Sequence, residues 1–268
     1  MKPPLSVVYY GWLSRPDGTL TPAARRLLAA RPELLIVAPV AHQPAFCHLR
    51  PGLVDQFQAG GSRLFAYVAT AYGRRDPHES WQEARRALQL GVDGILLDEV
   101  PHDLSPAGEQ VCYELCHRIR EAGGQVILNT GVAETPESLL ELADILMLEH
   151  AWRRFALASR WRQRYPPARF LGVSSNEPGA RRLLSSRVNL STALAATRAA
   201  MAAGIGWHVA TEQYIQLPTW FERYVAALRS EAALEGAVER EIDAPELATE
   251  LDCRGDGENQ AAEGEAEC

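Results

Sequence analysis

The sequence predicts an α/β fold, a single (β/α)8 barrel of the TIM type carrying a disordered acidic C-terminal tail. Three observations lead there. Short apolar runs alternate with amphipathic stretches eight times along the chain, proline and glycine mark the joints, and polar residues collect at one end of the apolar runs. At 268 residues and 47% hydrophobic content, the chain is long enough to bury one sizeable core.

The eight strand candidates fall at 6–10, 34–38, 63–69, 94–98, 125–129, 145–149, 170–174 and 206–211. They are near-continuous apolar runs, as parallel strands covered on both faces require. Helix openings follow at Thr21-Pro22, Pro51, Asp76-Pro77, Ser105-Pro106 and Thr135-Pro136, because proline at the first helical position gives up an N–H that has no intrahelical partner. Gly60-Gly61, Gly91, Gly123-Gly124 and Gly204 punctuate the returns to the next strand, where a helix end favours a left-handed residue. This order alone also suits an open doubly wound sheet; the placement of the polar residues favours closure.

Charge divides the chain into two regions, 1–232 as the barrel and 233–268 as the tail. Residues 231–268 hold 13 Asp and Glu against Arg240 and Arg254, so the overall charge of -7 arises in the tail while the body is mildly basic. That excess is too small to argue for nucleic acid. The tail alternates Glu, Ala and Gly with few large apolar residues, a composition that does not offset chain entropy and that commonly serves only solvation. No apolar run reaches the roughly 18 residues of a membrane span. The N-terminus MKPPLSVVYY lacks the pattern of a secretory leader, which places the chain as written in the cytoplasm, and outside the cell should its true start lie upstream. Five cysteines without a paired framework suit reduced thiols.

A closed barrel carries its chemistry at the C-terminal ends of its strands. Those ends read Tyr9-Tyr10-Gly11-Trp12 after the first strand and Thr70-Ala71-Tyr72-Gly73-Arg74 after the third. The fourth ends Asp98-Glu99, the fifth Asn129, the sixth Glu149-His150 with Trp152 following, and the eighth runs from Thr211 to Tyr214. Carboxylates, amides and aromatics on one rim suit a sugar: ring faces stack on its C–H surfaces while polar groups meet its hydroxyls. Hydrolysis of a glycosidic bond needs two carboxyl groups flanking it. Asp98, Glu99 and Glu149 are the catalytic candidates. Because neighbouring residues of a strand face opposite ways, only one of Asp98 and Glu99 points to the barrel axis if the strand is regular. Tyr9, Tyr67, Thr70, Tyr72, Arg74, Asn129, Trp152, Thr211 and Tyr214 are the substrate-binding candidates. For several of them packing is a competing reading: a strand Tyr67 with a satisfied hydroxyl and a turn-forming Asn129 are equally good ones, and for Tyr9, Trp152 and Tyr214 taken singly core or loop packing is the commoner one.

The seven histidines show no His-x-His after the first strand and no His-Glu-x-x-His, so the sequence points to no catalytic metal and no cofactor. The loops after the seventh and eighth strands are acidic and poor in glycine, which argues against a phosphate-binding barrel. A carbohydrate-binding barrel without turnover is the harder rival, since the same rim serves binding.

The blocks Phe65-Ala-Tyr-Val-Ala-Thr-Ala-Tyr-Gly-Arg-Arg and Val92-Asp-Gly-Ile-Leu-Leu-Asp-Glu, with Ile145-Leu-Met-Leu-Glu-His and Val209-Ala-Thr-Glu ahead of Leu217-Pro-Thr-Trp-Phe, resemble the spherulin 4 family. This is also called spherulation-specific family 4; it includes glycoside hydrolase family 135 and has families 166 and 114 as relatives. The similarity runs from residue 5 to about 228. It implies a TIM-barrel hydrolase of α-1,4-linked galactosamine or N-acetylgalactosamine polysaccharide, with Asp98, Glu99 and Glu149 at the family's acidic positions. The family's Asn-Pro after the second strand is replaced here by Ala38-Pro39-Val40-Ala41-His42. On strand position and this resemblance together, Asp98 is the expected nucleophile and Glu149 the expected general acid/base, with Glu99 holding the acid or a sugar amine by charge.

Overall fold

A computed structural model describes residues 3–38, 49–101, 106–132, 137–149, 152–158, 160–176 and 187–230. Eight parallel strands form one sheet in sequential order: β1 (Ser6–Tyr9), β2 (Leu34–Val37), β3 (Arg63–Ala69), β4 (Gly94–Asp98), β5 (Gln125–Asn129), β6 (Ile145–Glu149), β7 (Phe170–Ser174) and β8 (Trp207–Ala210). A parallel bridge from Leu5 to His208 brings the last strand back to the first. The expected strands are all present, with β1, β2 and β8 one or two residues shorter than the sequence suggests. The open-sheet alternative is thereby set aside. The expected tail, 233–268, and the loop 39–48 that follows β2 lie outside the described residues.

The helices α1 (Pro22–Ala30), α2 (Pro51–Ala59), α3 (Pro77–Gln89), α4 (Pro106–Glu121), α5 (Leu139–Leu142), α6 (Trp152–Ala158), α7 (Leu190–Ala202) and α8 (Phe221–Arg229) each follow the strand of the same number. Four begin on the prolines anticipated from sequence. Local chemistry explains why: Thr21 Oγ1 accepts from the Ala24 N–H at 3.1 Å, and Asp76 Oδ1 from the His78 N–H at 2.9 Å, satisfying donors that the helix leaves free. The fifth helix departs from expectation, being a single turn of four residues; its expected opening, Thr135-Pro136, falls outside the described residues. Two 3-10 turns, Arg160–Arg164 and Pro167–Arg169, lengthen the path from α6 to β7.

Strand alternation divides the apolar residues into two cores. Val8, Phe65, Leu96, Ile127, Met147 and Val209 fill the barrel interior. Their immediate neighbours, among them Val7, Leu64, Leu97, Leu128 and Leu148, pack outward against the helices. At Gly94 an added Cβ would meet the Gln125 carbonyl carbon at 2.9 Å and the Phe65 ring even more closely, so that position keeps β3, β4 and β5 in contact at the barrel floor. The alternation decides what appears at the mouth: residues two beyond the interior set are Tyr10, Tyr67, Asp98, Asn129, Glu149 and Thr211.

Candidate active site

The site is organised by one amide. Asn129 Nδ2 donates to Asp98 Oδ1 at 2.7 Å and to Glu149 Oε2 at 3.1 Å, while Asn129 Oδ1 accepts from the Gly131 N–H at 3.0 Å. Both N–H groups of the amide thus face carboxylates, and the backbone bond to its oxygen fixes that orientation. Sheet register places the three residues: Leu97 lies beside Leu128, which sets Asp98 next to Asn129, and Asn129 lies beside Met147, one pleat below Glu149. The two bonded carboxylate oxygens are no farther apart than the sum of those two hydrogen bonds, about 5.8 Å.

Each carboxylate has further donors. Asp98 Oδ1 also accepts from the Glu99 N–H at 2.8 Å, and Asp98 is hydrogen-bonded by the Tyr67 hydroxyl. Glu149 Oε1 accepts from the Tyr214 hydroxyl at 2.5 Å. Tyr10 sits between the two phenols, its ring centroid 5.2 Å from that of Tyr67 and 5.1 Å from that of Tyr214. Three tyrosines therefore wall the carboxylate pair on the β1, β3 and β8 sides. All three hydroxyls are held above the usual phenol range, by burial first and by the nearby carboxylate charges after it. They stay protonated, and those of Tyr67 and Tyr214 donate to the two acids.

Asp98 is pushed up to about 6, chiefly by burial and next by the charge of Glu149, against the lowering effect of its hydrogen bonds to the Glu99 N–H, Asn129 and Tyr67. Two carboxylates this close repel, so the pair retains one proton into the range near neutrality. A carboxyl pair that holds one proton near working pH offers both the acid and the carboxylate that cleavage of a glycosidic bond uses.

The fourth strand settles which of its two acids faces inward. Asp98 shares the interior face with Leu96, and the chain then turns: Glu99 has φ 54, in the left-handed region. Its carbonyl accepts from the Thr70 hydroxyl at 2.7 Å and the Tyr72 N–H at 2.6 Å. Ala71 (φ 52) and Tyr72 (φ 55) are left-handed as well. Each such non-glycine residue costs roughly 1–2 kcal/mol, and three in two facing loops mark a mouth whose shape is held against local preference.

Other expected residues are placed differently. Tyr9 belongs to the outer core, and Trp152 is 2% exposed, with its indole N–H donating to Ser174 Oγ at 3.2 Å. Neither faces the acids, because β1 alternation turns Tyr9 outward and α6 lies on the outer layer. Thr70 and Thr211 are buried, and their hydroxyls bond the Glu99 and Gln213 carbonyls, so they shape loops. Asn129 has both N–H groups on carboxylates. Tyr72 is 46% exposed at the rim, its hydroxyl raised by burial and by Glu99, Asp98 and Glu149, with the Arg74 guanidinium 5.9 Å from its ring centroid. Tyr67 and Tyr214 contact the acids. Tyr10, not among the candidates above, takes the inward place expected of Tyr9; period two from Val8 is the sequence signal that marks it. His102, His150 and Glu177 lie outside the described residues.

Comparison with known proteins agrees with this architecture. The model of spherulation-specific family 4 matches residues 53–228, which spans β3 to α8 and every acid of the site. The chain belongs to spherulation-specific family 4. No curated protein matches it in sequence. Among solved structures, it is similar to a chitinase from Chromobacterium violaceum ATCC 12472 at 11% identity, over 88% of this chain and 99% of that one, with a TM-score of 0.54. A putative dihydrodipicolinate synthetase from Pseudomonas aeruginosa matches at 15% identity over 88% and 78%, with a TM-score of 0.52. CdNal from Clostridium difficile, solved in complex with mannosamine, matches at 14% over 90% and 78%, with a TM-score of 0.51. The family 4 chain shares a barrel with proteins of differing kinds, so the fold leaves the chemistry to the site. Among the described residues, no group of three or more His, Cys, Asp or Glu is arranged to hold a metal, and no helix is long and apolar enough to cross a membrane.

Proposed function

We propose that this family 4 barrel hydrolyses O-glycosidic bonds in an α-1,4-linked galactosamine or N-acetylgalactosamine polysaccharide, with retention at the anomeric carbon. The observation that carries the reading is the Asn129 amide bonded to both Asp98 and Glu149, which brings two carboxyl groups from nonadjacent strands together at the barrel mouth. The bound of about 5.8 Å between their bonded oxygens accords with the roughly 5–5.5 Å of retaining enzymes better than with the roughly 6.5–9.5 Å that leaves room for an inverting water. The sugar itself is inferred from family membership.

Asp98 is the nucleophile. Its short side chain is aimed by the Glu99 N–H, Asn129 and Tyr67, and it attacks from the form of the pair in which the one shared proton sits on Glu149. Glu149 delivers a proton to the leaving oxygen as the bond from that oxygen to the anomeric carbon breaks and the bond from Asp98 forms. A water then attacks the anomeric carbon, Glu149 takes its proton, and Asp98 departs. Tyr214 holds Glu149 during both steps. Glu99, immediately after Asp98, supplies charge for a sugar amine at the rim.

The test is reducing-end release from partially deacetylated galactosamine polymer by wild type, Asp98→Asn and Glu149→Gln, with a fluorinated glycosyl donor to trap the intermediate. An ester on Asp98 is expected; one on Glu149 exchanges the two roles. Binding by all three proteins with no turnover by wild type would leave a carbohydrate-binding barrel instead.

A further inference from the structure

A recess of about 880 Å³ opens beside the acids, between the loops that follow β1 and β8. It lies in the upper part of the roughly 300–1,000 Å³ range of ligand pockets. Tyr10 and Tyr67 are common to both places: each lines the recess and each feels the charges of Asp98 and Glu149. Trp12, Ile215 and Gln216 form its outer part. Ile215 is 59% exposed and borders the recess.

The two loops are fastened together. The Tyr10 N–H donates to the Tyr214 carbonyl at 2.7 Å, and a Cβ on Gly11 would stand 2.7 Å from the Ile215 carbonyl oxygen, so glycine alone allows the approach. Consecutive residues are thereby divided: Tyr214 bonds Glu149, and Ile215 faces the recess. Among the described residues that line it, the one charged side chain is Arg26, and that guanidinium is engaged by Glu222 and, at 3.2 Å, by the Pro218 carbonyl. The described lining thus presents aromatic and aliphatic surface without a free charge, against a catalytic mouth that presents carboxylates.

We propose that this recess is an extended subsite: it receives the sugars next along the chain from the bond being cleaved, as uncharged hexose units stacked on Trp12 and packed on Ile215. This rests on the hydrolase reading and adds where a longer substrate runs and which chemistry it shows there. Apolar faces of neutral or N-acetylated sugars suit the surface; a protonated amine would lose water with no carboxylate among the described lining residues to receive it.

The experiment uses the full chain and a ladder of α-1,4-linked N-acetylgalactosamine oligosaccharides, from disaccharide to octasaccharide. In wild type kcat/KM is expected to climb with length. Trp12→Ala and Ile215→Asp are each expected to lose about tenfold on the octasaccharide, the low end of what one apolar pocket contact contributes, and less on shorter substrates. Ile215 is exposed, so its substitution leaves folding intact should Trp12→Ala fail to fold. Equal losses at every length, or none, overturn the subsite. Wild type inert on the whole ladder sinks the hydrolase reading separately. The recess is then judged by calorimetric binding of the octasaccharide to Asp98→Asn: about tenfold weakening by either second substitution supports it, and unchanged or absent binding overturns it.

Discussion

Two buried polar networks lie on opposite faces of the same sheet, and they are built on opposite terms. The outer one links Trp152, Ser174, His208, Thr197 and Tyr224. The indole N–H donates to Ser174 Oγ, Ser174 and Thr197 lie 3.1 and 2.9 Å from the two nitrogens of His208, and the Tyr224 hydroxyl meets Thr197 at 2.7 Å. The Thr197 hydroxyl also reaches the Ala193 carbonyl at 2.9 Å, so the pattern closes with the His208 proton on Nδ1 and every group satisfied. Burial drives His208 down to about 3, which keeps it neutral. The inner network joins two carboxyl groups that repel one another and raises one of them to about 6. A neutral, complete network holds strands to helices; a charged, frustrated one keeps a proton exchangeable. The second costs stability, and that cost is what its chemistry requires.

The sharpest way to break this contrast is by turnover. Asp98→Asn and Glu149→Gln should each lower kcat on the order of 10³-fold, the scale expected when a nucleophile or proton carrier is lost. His208→Ala should leave kcat of the folded fraction near wild type. Rate losses of similar size in all three would erase the distinction between the networks.

Stability should sort the same variants in reverse. Removing the His208 ring takes one hydrogen-bond partner from each of the Ser174 and Thr197 hydroxyls and opens a cavity, for a loss of about 3 kcal/mol or more in denaturant unfolding. Asp98→Asn should instead stabilise by about 2 kcal/mol at pH 7 to 8. Asp98 binds its proton more tightly folded than unfolded, so its support for the fold is complete below about pH 4 and is lost as the pH rises through about 6. The advantage of the Asn variant should accordingly fade on acidification. His208 has the opposite dependence: its folded value is depressed, so its contribution is complete above about 6.5 and declines as the pH falls toward 3. Melting temperatures of both variants against pH would sharpen the comparison, and parallel curves would contradict it.

The smallest effect concerns the organising amide. Asn129 lowers the Asp98 carboxyl by hydrogen bonding, so Asn129→Ala should move the acidic limb of kcat/KM to higher pH. A purely structural role would lower the rate at every pH and leave the limb where it stands.

Much of the fold was legible before any coordinates. Strand positions at 94–98, 125–129 and 145–149 coincide with β4, β5 and β6, because parallel strands buried on both faces write long apolar runs and their ends carry polar residues. The site was legible in part. Asp98, Glu149, Tyr67 and Tyr214 meet at the mouth, yet Tyr9 and Trp152 do not, and Tyr10 stands where Tyr9 is expected. Tyr9 and Tyr10 look equivalent as neighbours in sequence; period two from Val8 separates them, but only once the inward face is known. Trp152 looks like a stacking platform after an acidic strand end, and α6 carries it to the outer core instead.

By itself the sequence determined the alternation of elements, the capping of the helices and the residue types available at the strand ends, since these depend on local propensity and pattern. Tertiary structure alone decided that a single amide spans Asp98 and Glu149, that Glu99 turns into the left-handed region, and that Tyr214 and Ile215 face different spaces. Those outcomes depend on strand stagger and on loops meeting across the ring, which no single stretch of chain encodes.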